Sequence, residues 1–400
     1  MSKWEEKRLE DIIDINPPVK LKKGESYPFI DIDKVSPTRR SVTNEEVKVY
    51  DGQSSSKFCD GDTVFSRITP CLENRKIAKV AIDGDVAFGS TEFYVFRAKK
   101  KKADARFTYY LTSSDAVILP AINSMTGASG RQRADKRFIQ RLKLNLPDLP
   151  TQERIADILS AYDDLIEANN RRIELLEQVA QELYKEWFVR FRFPGHEKTK
   201  FENGLPEGWK RNKIQKYYNT CSGGTPSRSK PEYFENGIYP WVKTGEIKDC
   251  VIIDTEEYIT QEAVNSSSAK VLPAKSVAMA MYGVNIGLLA YFDSEMTCNQ
   301  ACCVFSDKRD FSSKHYLYYY LKSIREYLLL ISFGAAQQNL SQDLIKKIKI
   351  AMPSDDVVQA FEKQINDIYE NIKMLLMKNK NLSEQRDMLL PRLMSCKLEV

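Results

Sequence analysis

Apolar residues along this 400-residue chain recur with two different periods. Over the first 150 positions they gather into short runs rich in β-branched and aromatic residues: YPFIDIDKV, DTVFSRI, RKIAKVAI and EFYVFRA. Runs of that length and make-up, with turn residues between them, predict the strands of a mixed, mainly β domain. A stretch without Gly or Pro follows from 151 to 190. There Ile155, Ile158, Tyr162, Leu165, Asn169, Arg172, Leu176, Val179 and Leu183 step by three and four. That spacing predicts a long helix whose seam faces a partner helix, interrupted once by Asn, which fixes register at some cost in stability.

The whole succession then returns. VIIDTEEYI, SVAMAM, IGLLAYF and ACCVF predict a second set of strands, and a second helix is expected from 355 to 390. Its seam is Phe361, Ile365, Ile368, Ile372, Leu375, Asn379, Leu382, Arg386, Leu389 and Leu393. Blocks match between the halves in unbroken order: Tyr27–Ile30 with Tyr239–Val242, GDTVFSRI with AKSVAMAMY, and Tyr109–Leu111 with Tyr319–Leu321. RFIQRLKLNLP (137–147) likewise answers DLIKKIKIAMP (343–353). An internal repeat is the reading to take first, because it fixes the rest. The predicted fold class is α/β (α+β): two mixed, mainly β heads joined by two long antiparallel coiled-coil helices, in a pseudo-twofold internal repeat. The expected boundaries are 1–150 and 207–353 for the heads, 151–190 and 354–396 for the helices, and 191–206 for a linker holding Pro, Gly and charges. Two ordinary amphipathic core helices are the competing reading of the seams. Equal length and equal placement favour pairing, and a helix of about 38 residues would be roughly 57 Å long.

Composition narrows the class without naming it. With 42% hydrophobic and 10% aromatic residues the chain is globular rather than disordered. No run approaches 18 uninterrupted apolar residues, and MSKWEEKRLEDI is charged where a signal peptide is apolar, so a cytoplasmic protein with no membrane partner is expected. Eight scattered cysteines form no CxxC pair. The net charge of +5 suggests nucleic acid and does not establish it.

Catalytic motifs give little footing. Asn16-Pro17-Pro18 resembles the start of an adenine methyltransferase motif, but Val19 stands where an aromatic would stack on a flipped base. No glycine-rich turn for a methyl donor and no GxxxxGK[ST] is present. His196 and His315 lack a nearby nucleophile–acid set, and Cys298, Cys302 and Cys303 lack a fourth ligand at sensible spacing, so they are expected to pack in a strand. No cofactor and no metal is expected.

With these parts in place the chain resembles the specificity subunits of type I restriction-modification enzymes. LPTQERIADILSAYDDLIEANNRRIELLEQ (149–178) with LYKEWFVRF (183–191) resembles the family's central helix. LLPRLMSCKLEV (389–400) resembles its distal end, with Cys396 where Gly is more usual. LPEGWK (205–210) and SGGTPSRSKPEYFENGIYPWVKTGEI (222–247) resemble the opening of a target-recognition domain. The first head, NPPVKLKKGESYPFIDID, lacks the GGTP pattern. The resemblance implies a non-catalytic subunit whose two heads each read half of a bipartite, asymmetric site in double-stranded DNA, with the helices setting the separation. It also implies two methyltransferase subunits and two restriction/translocase subunits as partners, acting on adenine.

Reading DNA calls for cations toward phosphates and for amide or guanidinium groups toward base edges. TGASGRQR (126–133) offers Arg131, Gln132 and Arg133 on a glycine-flexible loop. FGAAQQNLS (333–341), at the aligned position, offers Gln337, Gln338 and Asn339. The turn holding Gly224, Thr225 and Arg228 promises close backbone approach, and Lys243 and Thr244 follow a strand. Arg67 and Tyr282 lie on aligned segments, Arg67 with a structural ion pair as its alternative role. For the loops, plain polar turns are the competing reading. The lysine run 99–102 reads as a solvated loop, and Glu174 and Gln178 as partner-facing or solvated. A protein scaffold with two binding heads, or a stand-alone DNA-modifying enzyme, are the alternative functions.

Overall fold

The computed structural model describes residues 4–43, 46–128, 130–332, 339–395 and 397–398. It divides into two compact units: residues 1–168 with 379–400, and residues 169–378.

In the first unit a five-stranded sheet has the order Ile13–Ile15, Phe93–Ala98, Thr63–Ser66, Ile77–Val80 and Ser41–Val42. Neighbours are antiparallel except for the last pair. Alternation along its strands sends side chains to opposite faces. Phe65 and Phe96 pack with Phe107 and Leu111 of the helix Ala105–Thr112, while Val64 and Val95 pack with Ile30, Phe58 and Ala87 of a smaller sheet. That smaller sheet runs Glu46–Val49, Ser26–Ile30, Val86–Gly89, Ser56–Cys59, with its central pair parallel. Trp4–Arg8 pairs with Lys143–Pro147 and closes the head beside the long helix Leu149–Tyr184.

The second unit repeats the five-stranded sheet strand for strand and the smaller sheet in shortened form. Its five-stranded sheet runs Tyr218–Ser222, Cys302–Asp307, Val277–Ala280, Leu289–Phe292, Cys250–Ile252, again with only the last pair parallel. Cys302 and Cys303 are both buried, on opposite faces of one strand, and Cys298 is buried beside them, so all three are packing residues as expected. Tyr239–Val242 pairs antiparallel with Tyr258–Ile259 and parallel with Thr297–Cys298. Where the first unit has the strand Ser56–Cys59, the second keeps one bridge, Leu272 with Met296.

Each unit holds part of both long helices, Leu149–Tyr184 and Asp355–Met394, and within each unit they pack antiparallel. In the first, Leu159 and Leu393 share one core and Asp163 meets Arg386. In the second, Ile173 packs with Ile372 and Leu375, and Tyr184 with Phe361. The distal helix buries Phe361, Ile365, Ile372, Leu375 and Leu393, as its seam predicts. The central helix does so only in part: Ile155 is buried and Ile158, Leu176 and Leu183 pack against cores. Its buried stripe is Ile155, Leu159, Asp163, Ile166, Ile173, Ala180 and Tyr184, whereas Leu165 and Val179 of the expected seam are 55% and 56% exposed. The physical reason is Asp163. Its buried carboxylate accepts the Tyr110 hydroxyl at 2.5 Å and Arg386 Nη1 at 2.5 Å, so a charged residue occupies the core face that apolar counting assigned elsewhere.

The second head docks through a different carboxylate. Glu362 on the distal helix accepts the backbone N–H groups of His315 and Tyr316, at 2.9 and 3.0 Å, and lies 2.9 Å from His315 Nδ1. These two N–H groups open the helix Lys314–Ser323 and have no partner within it, so Glu362 serves as their cap.

Candidate nucleic-acid interface

In the first head the segment Thr126–Arg133 is a loop closed at its base by two bonds, Thr126 N–H to Arg133 O at 3.1 Å and Arg133 N–H to Thr126 O at 2.9 Å. Gly127 and Gly130 have φ of +125° and +75°, a region that side chains rarely adopt, which is why glycines stand here. The loop is fastened to the end of a core strand: Ala134 N–H donates to Arg67 O at 2.8 Å, and Thr69 N–H to Gln132 O at 3.0 Å. Gln132 N–H in turn donates to Thr69 Oγ1 at 3.1 Å. Arg131 stands at the exposed tip, and Gln132 is half-buried.

Arg67 and Arg133 share one carboxylate. Glu92 accepts Arg133 Nε at 2.9 Å and Nη2 at 2.5 Å, and also Arg67 Nε at 3.2 Å. The Arg133 guanidinium, with Arg67 beside it, holds the Glu92 carboxyl below its ordinary range. Arg67 also lies over the Tyr94 ring, 5.5 Å from its centroid. A guanidinium carries five N–H donors, so this pairing orients Arg133 and leaves three donors outward. Arg67 is thus the ion-pair partner that the sequence allowed it to be.

The second head places Asn339 opposite Tyr282, with Leu340 N–H donating to Met281 O at 2.8 Å. Gln337 and Gln338 lie outside the described residues. The backbone bonds fix the correspondence between heads: Asn339 answers Arg133, and Tyr282 answers Ile68, one residue beyond Arg67. Arg67 itself answers Met281, and Glu92 answers Ala301, because Arg67 N–H bonds Glu92 O at 3.0 Å as Met281 N–H bonds Ala301 O at 2.8 Å. At these positions the second head has no ion pair where the first has two.

The remaining candidates converge on Trp241. Its Nε1–H donates to Gly224 O at 3.0 Å, and Arg228 lies over its ring at 5.1 Å and over Phe234 at 4.3 Å. A Cβ on Gly224 would come within 2.3 Å of the Ser268 backbone. This glycine therefore serves packing inside the head, and the close backbone approach expected of it is made to protein. Thr225 donates to Gln300 Oε1. Glu257 bridges Arg228 at 2.6 Å and Lys243 at 3.1 Å, and Lys243 also reaches Glu256 at 2.7 Å. The Arg228 guanidinium, followed by Lys243, holds Glu257 below its ordinary range. Thr244 opens a short turn whose carbonyl accepts Asn285 Nδ2 at 2.7 Å, tying it to the turn that follows Tyr282.

Gly224, Thr225, Arg228 and Lys243 are therefore one site, and Tyr282 with Asn339 form a second cluster linked through Asn285. The carboxylates Glu92 and Glu257, together with Asn285 and Gln300, were not expected. No local pattern marks them, because each is defined by partners distant in sequence. Oriented guanidinium, ammonium, amide and hydroxyl groups suit recognition by hydrogen bonding.

Residues 1–178 and 206–383 each match the family model described as "Type I restriction modification DNA specificity domain". The chain is 27% identical over 416 residues to the type I restriction enzyme HindI specificity subunit of Haemophilus influenzae, covering 87% of this chain and 89% of that one. It is 23% identical to the MjaIX specificity subunit of Methanocaldococcus jannaschii, covering 99% and 94%. Among solved structures, the S subunit of a type I system from M. genitalium shares the fold, with a TM-score of 0.56 and 14% identity over 98% of this chain and 96% of that one. Among the described residues no helix is long and apolar enough to cross a membrane.

Proposed function

Because this chain belongs to the type I restriction-modification DNA specificity family, we propose that it is a specificity subunit that performs no covalent chemistry. Each head reads one half of a bipartite, asymmetric site in double-stranded DNA and so directs adenine methylation or cleavage by partner subunits. The observation that carries this reading is the repeat itself: two heads whose five-stranded sheets share one strand order present different groups at equivalent positions. Arg67, Glu92 and Arg133 in the first stand where Met281, Ala301 and Asn339 stand in the second. Heads that differ there read different half-sites, whereas identical heads would read a palindrome.

In the first head Arg131, Gln132 and the outward donors of Arg133 are the reading groups, Arg suiting guanine and the amide adenine. In the second, Asn339 holds the place of Arg133, Gln337 and Gln338 precede it in the sequence, and Thr225, Arg228, Lys243, Thr244 and Tyr282 are the further reading groups. The partners are two methyltransferase subunits and two restriction/translocase subunits. Exposed apolar residues on the long helices support docking there: Leu165 in the first unit, and Val179, Met374 and Met377 in the second.

The test is selection from a random duplex library by the purified chain with its methyltransferase subunit. One split, asymmetric motif with steeply salt-dependent affinity is expected. No enrichment, with the two proteins still associated, would leave a scaffold role in its place.

A further inference from the structure

The second unit carries a groove of about 760 Å³ that none of the reading segments lines. Arg211, Lys213, Lys216, Lys308, Lys346 and Lys349 surround it, together with amide and hydroxyl groups such as Asn219 and Thr220, and among the described residues no carboxylate lines it. Lys308 Nζ donates to Gln215 O at 2.7 Å, and Lys346 lies 3.6 Å from Asp343, which is 83% exposed.

The fold does not require this concentration of charge, because the first head has the same elements without it. Lys213 pairs with Lys349 as Arg8 pairs with Lys143, and Lys308 N–H bonds Tyr217 O as Lys99 N–H bonds Ile12 O. By that register Arg211 and Lys216 answer Glu6 and Asp11, Lys346 answers Gln140, and Gln215 and Asn219 answer Glu10 and Asp14. The first head thus sets four carboxylates among four cations, Lys7 answering Asn212, and pairs three of them, Lys143 with Glu6 at 2.8 Å, Arg8 with Glu10 at 3.4 Å and Lys99 with Asp14 at 3.5 Å. In the second head every one of those carboxylates is replaced by a cation or an amide.

We propose that this groove binds the phosphodiester backbone of DNA flanking the half-site read by the second head, a proposal that rests on the DNA-reading function above. Six cations met by one exposed carboxylate, Asp343 beside Lys346, suit a polyanion. Lysine with amide and hydroxyl donors is the make-up of phosphate contacts, whereas protein–protein interfaces are depleted in Lys and enriched in aromatic side chains. The groove is also continuous with the candidate site. The strand Tyr218–Ser222 leads from it to Gly224, and the helix Gln342–Lys347 leads to it from Asn339, with Gln342 Nε2 donating to Thr220 Oγ1 at 3.0 Å. At about 3.3 Å per strand residue, Thr220 lies roughly 13 Å from Gly224. That is about four nucleotides along one DNA strand.

The experiment uses the full chain with its methyltransferase subunit and compares wild type, the triple variant Lys213→Gln, Lys216→Gln, Lys349→Gln, and the first-head control Lys143→Gln. Affinity for a duplex carrying the selected site is measured across salt concentration, with backbone footprints. The triple variant is expected to lower the slope of log affinity against log salt by about 0.9 for each phosphate no longer neutralised, about 2.7 in all. It should lose protection only outside the second half-site and keep the base preference, and Lys143→Gln should leave the slope unchanged. An unchanged slope in the triple variant overturns the proposal, and weaker binding of the methyltransferase subunit in that case would make the groove a protein-docking surface. Absence of salt-dependent DNA binding by the wild type would instead be failure of the underlying DNA-reading function.

Discussion

Single residues divide here into groups that hold the heads together and groups proposed to read DNA. Arg131 belongs to the second kind: exposed, at the tip of a loop whose base is fully bonded. Arg131→Ala is expected to leave thermal stability unchanged. It should weaken binding to the wild-type site by about 1–3 kcal/mol and relax preference at one position of the first half-site only, as read by selection from a duplex library. Glu362 and His315 belong to the first kind. Burial pushes the His315 imidazole below its ordinary range, against the pull of Glu362, so the unfolded chain binds that proton more readily than the folded one. Stability from this site is present above the ordinary histidine value of about 6.5 and is lost as pH falls below it. Denaturant midpoints between pH 7.5 and 5.5 should show that decline, flattened in His315→Gln. Glu362→Ala strands three donors and should cost about 2–4 kcal/mol. The loop that carries Arg131 was legible in the sequence from its glycines and planar polar groups. The carboxylates that hold Arg133 and Arg228 were not, since Glu92 and Glu257 meet their partners only through the folded sheet.

At the scale of elements, strand order and the duplication were readable, because alternation along Val64–Phe65 and Val277–Ala278 obeys the simple period of a strand buried on both faces. The distal helix followed its apolar seam. The central helix departed from it because the buried ion pair of Asp163 and Arg386 places polar residues inside and leaves Leu165 outside. This register makes a sharp contrast testable by chemical denaturation. Leu159→Ala should cost about 2–5 kcal/mol by opening a cavity, whereas Leu165→Ala in the free chain should change stability by less than about 0.5 kcal/mol. Asp163→Ala leaves Arg386 without its buried partner and should cost about 3–5 kcal/mol.

For the molecule as a whole, the point is a fold used twice with different chemistry at matching positions. An arginine pair around Glu92 in one head is replaced by Met281, Ala301 and Asn339 in the other, and an edge of mixed, paired charges in one is a predominantly basic groove in the other. Two unlike heads on one chain call for an unlike pair of half-sites. The most direct test is a single-molecule map of adenine methylation in cells expressing the methyltransferase partner with the wild-type chain, without it, or with Arg131→Ala and Gln132→Ala together. One split, asymmetric motif is predicted, absent without the chain and altered in a single half by the double variant. A palindromic motif, or methylation indifferent to loss of the chain, would contradict it.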